Sequence, residues 1–163
     1  VVYGVVKRIS EYGTLVGSIA GAMHPVVGYC AVSNRIDIAA ILLFCIITCW
    51  QMPHFYAIAM YRLEDYAKAS IPVLPIRKGM YNTKVHMLLY VIAFTVTSIS
   101  LTMSGHTGFL YLLVCFFLGI CWTALCIRGF SCSDNKIWAR KMFMFSLVVV
   151  MVQCSMLVTA SFQ

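Results

Sequence analysis

The chain has 163 residues, 62% of them hydrophobic and only 10% charged, whereas an ordinary soluble domain is about half apolar and a quarter charged. That balance argues against a soluble globular protein. The net charge of +7 sits in short stretches between apolar runs and comes with no RNA- or DNA-binding motif, which argues against a nucleic-acid partner.

The chain opens Val1-Val2-Tyr3 without a Met, and the native N-terminus is expected to lie upstream. Five apolar segments follow, at residues 14–32, 36–61, 85–103, 109–127 and 142–162. Each approaches the ~20 residues that a helix needs to cross a ~30 Å hydrocarbon core. A spanning segment must satisfy its own backbone amides, and these runs lack the alternation of barrel strands. The expected fold is therefore all-α, a polytopic transmembrane bundle with about five membrane helices, forming one domain over residues 1–163.

In the first segment Gly13, Gly17 and Gly21 recur every four residues, a spacing that points to close helix packing before any ligand role. Pro25 is expected to kink this helix. The eight cysteines form no CxxC pair and have no His at zinc-like spacing, so they read as small packing residues, with no disulfide framework or metal centre.

Basic residues alternate between the connections. Lys7 and Arg8 precede the first segment, Arg35 alone follows it, and Arg62, Lys68, Arg77, Lys78 and Lys84 follow the second. None lies in residues 104–108, four (Arg128, Lys136, Arg140, Lys141) precede the last segment, and none follows it. One side thus carries eleven and the other one, so the positive-inside rule makes loops 62–84 and 128–141 cytoplasmic.

Polar chemistry concentrates in residues 49–79, CWQMPHFYAIAMYRLEDYAKASIPVLPIRKG. If the second helix continues past Pro53, steps of ~100° per residue bring His54, Tyr61 and Asp65 to within about 20° of one line, with Arg62 nearby. Such a stripe descends from the boundary into the bilayer, where ionisable residues face a cavity or the bundle interior. Taken singly, His54 is as well explained by a hydrogen bond to a neighbouring helix, and Arg62 with Asp65 by a local ion pair. Glu64 adjoins Asp65 but is expected to point elsewhere. Together with the apolar Ile71-Pro72-Val73-Leu74-Pro75 and the basic pair Arg77 and Lys78, these residues suit a diphosphate whose lipid tail lies among helices. A carboxylate there would hold Mg²⁺ through substrate phosphates, and the cations would neutralise the leaving group.

The stretch WQMPHFYAIAMYRLEDYAKASIPVLP, together with KRISEYGTLVGSIAGA and IWARKMF, resembles the haem O synthases (protohaem IX farnesyltransferases) of the UbiA-like intramembrane prenyltransferases. The resemblance covers nearly the whole chain, and the run His54, Asp65-Tyr66, Ile71-Pro72 and Leu74-Pro75 is specific to this branch. It implies a larger bundle of about nine membrane helices, of which this chain is the C-terminal part, without the half that bears the first Asp-rich motif. It also implies transfer of a farnesyl group from farnesyl diphosphate to a vinyl group of haem b, with addition of water, to give haem O.

Mg²⁺ is the implied cofactor, and haem b is a substrate. Asp65 would serve as metal-side carboxylate and, with His54, as catalytic residue. Arg62, Lys68, Lys78, Lys7, Arg8 and Tyr66 would contact substrate, although a topological role suits Lys7 and Arg8 equally well. Membrane lipid and haem A synthase or a terminal-oxidase assembly are the implied partners, and a bacterial inner membrane is the implied location. The second DxxxD pair of the wider superfamily is broken, because Ala69 stands four positions after Asp65, so a single carboxylate is expected at the metal. His24-Pro25 and Tyr12 also depart from common family residues.

Three other readings compete. A quinone precursor is an alternative acceptor, and a transporter half would also show an intramembrane His and a broken helix, though no inverted repeat supports it. A cytochrome ligated by His24 and His54 would need those residues at matching depth.

Overall fold

The computed structural model describes residues 13–160, with side chains from 17 to 159; Lys7, Arg8 and Tyr12 lie outside the described residues. Six α-helices account for most of them: α1 (Gly13–Ser33), α2 (Ile38–Tyr61), α3 (Leu63–Lys68), α4 (Leu74–Met103), α5 (Phe109–Arg128) and α6 (Asn135–Ala160). A 3₁₀ turn, Gly129–Ser131, follows α5. Among the described residues there is no strand, and α2, α4, α5 with its 3₁₀ turn, and α6 are long and apolar enough to cross a membrane. The all-α membrane bundle expected from composition is what forms. The first apolar segment is also helical and lies within α1.

Helix α2 is the hub. It packs against α1, α4 and α6, while α5 closes the ring by packing on both α4 and α6. The core between them is built from Ile46, Met52, Met87, Phe94, Trp122 and Met142, all buried. Phe94 of α4 meets Trp122 of α5 edge to face, with centroids 5.5 Å apart, a favourable aromatic geometry. Outward-facing Leu89, Val96, Phe116, Phe117, Leu147 and Met151 are exposed, as suits side chains whose solvent is lipid.

Small residues set the helix spacing. A Cβ on Gly119 of α5 would overlap the Thr95 side chain of α4, and one on Gly21 of α1 would press on Gln51 of α2. Gly21 thus has the packing role expected of the glycine stripe, whereas Gly28 has nothing near its Cβ position. Helix α1 continues through Pro25 as one helical element.

Two boundaries differ from the hydropathy reading. Helix α4 begins at Leu74, eleven residues before the expected start at 85, and α6 begins at Asn135, seven before 142. Loops 62–84 and 128–141 are therefore largely helix: only residues 69–73 separate α3 from α4. Pro75 sits in the first turn of α4, where its missing N–H costs nothing. Gly79 then breaks the helical path with φ +81°, a backbone state that favours glycine. The Thr83 hydroxyl donates to Gly79 O at 2.9 Å and Asn82 Nδ2 donates to Lys78 O at 2.8 Å, so the break is stitched from the following turn.

All nine basic residues of the two lengthened regions meet at one end of the bundle, and among the described residues Arg35 is alone at the other. Lys84, read from sequence as a loop cation, is buried on α4. Its ammonium donates to Gly129 O at 2.7 Å, past the C-terminus of α5, and lies 5.3 Å from the Trp138 ring centre. A cation at a helix C-terminus and over an aromatic face is doubly favoured, and Lys84 thereby joins α4, α5 and α6.

Candidate active site

Two clefts that share Tyr61 and Arg62 open side by side at the basic end. The first, about 210 Å³, is lined by Met60, Tyr61, Arg62, Leu63, Glu64, Asp65, Met80, Asn135 and Lys136. Four helices supply it because α2 stops at Arg62. That residue leaves helical geometry (φ −105°, ψ 32°) while its N–H still bonds Ile58 O at 2.9 Å, and α3 starts immediately afterwards.

The stop at Arg62 corrects the expected stripe. Asp65 lies on a separate helix, so counting 100° steps from His54 does not locate it. Tyr61, Arg62 and Asp65 do come together, but His54, eight residues before Arg62, sits about 12 Å deeper along α2. Glu64, expected to point away, lines the same cleft as Asp65. Lys68 and Tyr66 on α3, and Lys78 just ahead of the Gly79 break, do not line it.

Within the cleft the ionic contacts are loose. Arg62 Nη1 is 3.8 Å from Asp65 Oδ2, and both side chains are more than 60% exposed, a pairing that contributes little on its own. Asn135 Oδ1 is buried without a hydrogen-bond partner among the described residues, and a buried acceptor left unmade is costly. Two carboxylates, two cations and an orphaned acceptor therefore surround a small polar space at the mouth of an apolar bundle. Among the described residues no three His, Cys, Asp or Glu side chains converge as a metal cage. The donor set instead suits an ion such as Mg²⁺, which keeps water and is shared between one or two carboxylates and substrate phosphates.

The second cleft, about 420 Å³, shares Tyr61 and Arg62 and adds Ile58, Arg140, Phe143 and Met144. His54 lies beneath it. The imidazole stacks on Trp50 with centroids 5.1 Å apart and tilts against Phe143 at 5.0 Å. Its Nδ1 is 2.7 Å from Ser146 Oγ on α6, so the hydrogen bond to a neighbouring helix is present. The Ser146 hydroxyl donates to Phe143 O at 2.6 Å, which leaves it only an acceptor for His54. Nδ1 must then carry the hydrogen and donate, and Nε2 of the neutral ring keeps its lone pair. Trp50 Nε1 donates to Ser146 O at 2.7 Å, so two side chains one turn apart on α2 grip the same residue of α6. His24, by contrast, is exposed and pairs with Gly21 O of its own helix at 3.2 Å; the described geometry lends nothing to a bis-His haem site.

Lys136, Arg140 and Ser146 are the side chains that sequence reasoning left out of the site. A signal for them exists. Asp134 caps α6, its carboxylate accepting from Lys136 N at 2.9 Å and Ile137 N at 3.0 Å, the familiar Asp N-cap pattern. Starting the helix there, instead of at the first uncharged run, places residues 136, 140 and 143 on one face.

No solved structure matches this chain. Among proteins of known name it is 51% identical over 150 residues to "Protoheme IX farnesyltransferase" of Protochlamydia amoebophila, covering 92% of this chain and 53% of that protein. It is 50% identical over 144 residues to "Protoheme IX farnesyltransferase 2" of Pseudomonas aeruginosa, and 49% identical over 144 residues to "Protoheme IX farnesyltransferase" of Enterobacter sp. strain 638, each match covering 88% of this chain and 49% of the relative. The chain thus spans about half the length of the curated relatives it matches. The model of the UbiA prenyltransferase family matches residues 1–148, and the chain belongs to that family.

Proposed function

We propose that the full-length protein transfers the farnesyl group of farnesyl diphosphate to a vinyl group of protohaem IX, giving haem O, and that this chain contributes the second half of the reaction chamber. The observation that carries the proposal is the first cleft, where Glu64 and Asp65 face Arg62 and Lys136 at the mouth of an apolar bundle. A lipid diphosphate needs that combination of charge at the boundary and apolar walls beneath. The names of the relatives, at about half identity, supply the acceptor.

In this reading Arg62 and Lys136 hold the diphosphate and take up charge as the C1–O bond breaks and the electron pair leaves with the diphosphate. Asp65 or Glu64 would hold Mg²⁺, which would supply further neutralisation of the leaving group. The terminal vinyl carbon bonds to farnesyl C1, water adds to the neighbouring carbon, and the released proton passes to His54 Nε2. Lys68, Lys78, Tyr66, Lys7 and Arg8 would act in guiding the diphosphate to the cleft. The basic end faces the cytoplasm by the positive-inside rule. The bacterial relatives favour an inner membrane, where haem A synthase or a terminal-oxidase assembly would take the product.

The test is to express the full-length protein, and its Asp65→Asn form, in cells lacking haem O synthase and to analyse extracted haems by chromatography and mass spectrometry. Haem O is expected with the intact protein and is lost in the variant at equal membrane level. A well-expressed intact protein that makes no haem O removes the haem assignment and turns attention to quinone-type acceptors.

A further inference from the structure

The second cleft differs from the first in having no carboxylate on its walls. Arg62 and Arg140 share it with Ile58, Tyr61, Phe143 and Met144. Among the described residues Arg140 makes no ion pair, and Arg62 has only the exposed 3.8 Å contact to Asp65. Two guanidiniums brought from different helices into one space repel unless an anion joins them, and planar carboxylates match their fork geometry. The remaining walls are aliphatic, aromatic and thioether. A volume of about 420 Å³ falls in the range of small-molecule sites. The occupant that fits has a flat apolar body and carboxylates on one edge.

We propose that Arg140 and Arg62 form the subsite that holds the propionate carboxylates of the porphyrin acceptor at the membrane boundary, with the macrocycle against Phe143, Met144 and Ile58. This rests on the reading that the acceptor is a haem. It divides the basic end into two anion sites joined at Arg62. The cleft with Glu64, Asp65 and Lys136 takes the metal-bound diphosphate, whose charge calls for acids and cations together. The cleft with paired arginines and no acid takes carboxylates that bring no metal. Phe143, which lines the acceptor cleft, also touches the imidazole of His54, so ring binding and the His54 side chain are in direct mechanical contact.

The experiment titrates the purified full-length protein with haem b and with haem b dimethyl ester, whose carboxylates are masked, following absorbance. The intact protein is expected to bind the free acid at least about tenfold more tightly than the ester, as loss of charge-assisted bonds implies. Arg140→Ala should remove that preference while leaving ester affinity and the KM for farnesyl diphosphate unchanged. Arg140→Lys should keep part of the preference, which a folding defect would not. Equal weakening of acid and ester, or a raised KM for farnesyl diphosphate with haem affinity intact, overturns the subsite. So does an Arg140→Ala protein that behaves as the intact one, which would make Arg140 an interfacial lipid anchor. If the intact protein prefers the free acid yet forms no haem O, farnesyl transfer fails and the subsite stands; haem O formed without that preference gives the converse.

Discussion

Helix α2 has a carboxylate near an arginine at each end, and the two are used in opposite ways. Asp37 accepts from Ala39 N and Ala40 N at 3.1 Å, from the Tyr29 hydroxyl at 2.8 Å and from Arg35 Nε at 3.1 Å. Its oxygens are occupied by the cap of α2, by α1 and by the connecting turn. Asp65 at the other end has one exposed contact at 3.8 Å and lines a cleft with Glu64, Lys136 and an unpartnered Asn135 oxygen. A saturated carboxylate holds structure, and an unsaturated one beside cations is available to a ligand. The largest expected effect follows from that contrast. Asp65→Asn in the full-length protein should lower the rate of haem O formation by about a hundredfold or more, the scale of losing one preorganised charge contact at a transition state. Its thermal midpoint in detergent should be unchanged. A variant that stays fully active would place Asp65 among ordinary surface residues and erase the difference between the two ends.

Next in size are changes to the frame that carries the cleft. Gly129 follows α5 where a Cβ would run into the Trp138 ring, and Trp138 Nε1 donates to Leu125 O at 2.9 Å while its face receives Lys84. Gly129→Ala should therefore cost about 1–3 kcal/mol through overpacking, read as a lowered unfolding midpoint. A midpoint equal to that of the intact protein would mean that the ring moves freely and that α5 and α6 are not locked there. Ser146→Ala should cost less, about 1 kcal/mol for the lost bond to His54, because Trp50 still reaches the backbone carbonyl. Haem O formation should fall as well, since nothing then holds the imidazole with its hydrogen on Nδ1. Ser146→Thr, which keeps the hydroxyl, should restore activity, and failure of that rescue would assign Ser146 to packing alone.

The helices were legible because a membrane segment must be apolar throughout, and runs such as 109–127 announce it without help. The ends were not, since hydropathy stops at the first charges whereas the backbone continues through them when a cap waits upstream. Asp134 at α6 and Pro75 with Gly79 at α4 set those starts. The site was half legible. Arg62 and Asp65 meet as their three-residue spacing suggests, yet the wider stripe assumed an unbroken helix, and Arg62 ends α2. Arg140 and Lys136 reach the clefts only through the folding back of α6 onto α2, a long-range contact that no local spacing encodes. Lys84 shows the same limit from the other side: a cation in a basic stretch reads as topology until burial reveals that it joins three helices.

The smallest effect belongs to Asp37 and is a pH dependence. Desolvation pushes its carboxyl up, but the Tyr29 hydroxyl, the Ala40 amide, Arg35 and the Ala39 amide together outweigh it, and the group is held below its ordinary value. A depressed folded value means that the carboxylate contributes stability at all pH above the unfolded carboxyl value, about 4, and that the contribution drains away as pH falls through the folded value. Asp37→Asn keeps a capping oxygen but not the charge. Its midpoint should lie below that of the intact protein by a constant margin from neutral pH down to about 5, and the two should converge in stronger acid. A margin that persists unchanged at the acid end would show that Asp37 works as a neutral cap would. The contrast between the two ends of α2 would then rest on hydrogen-bond saturation and not on charge.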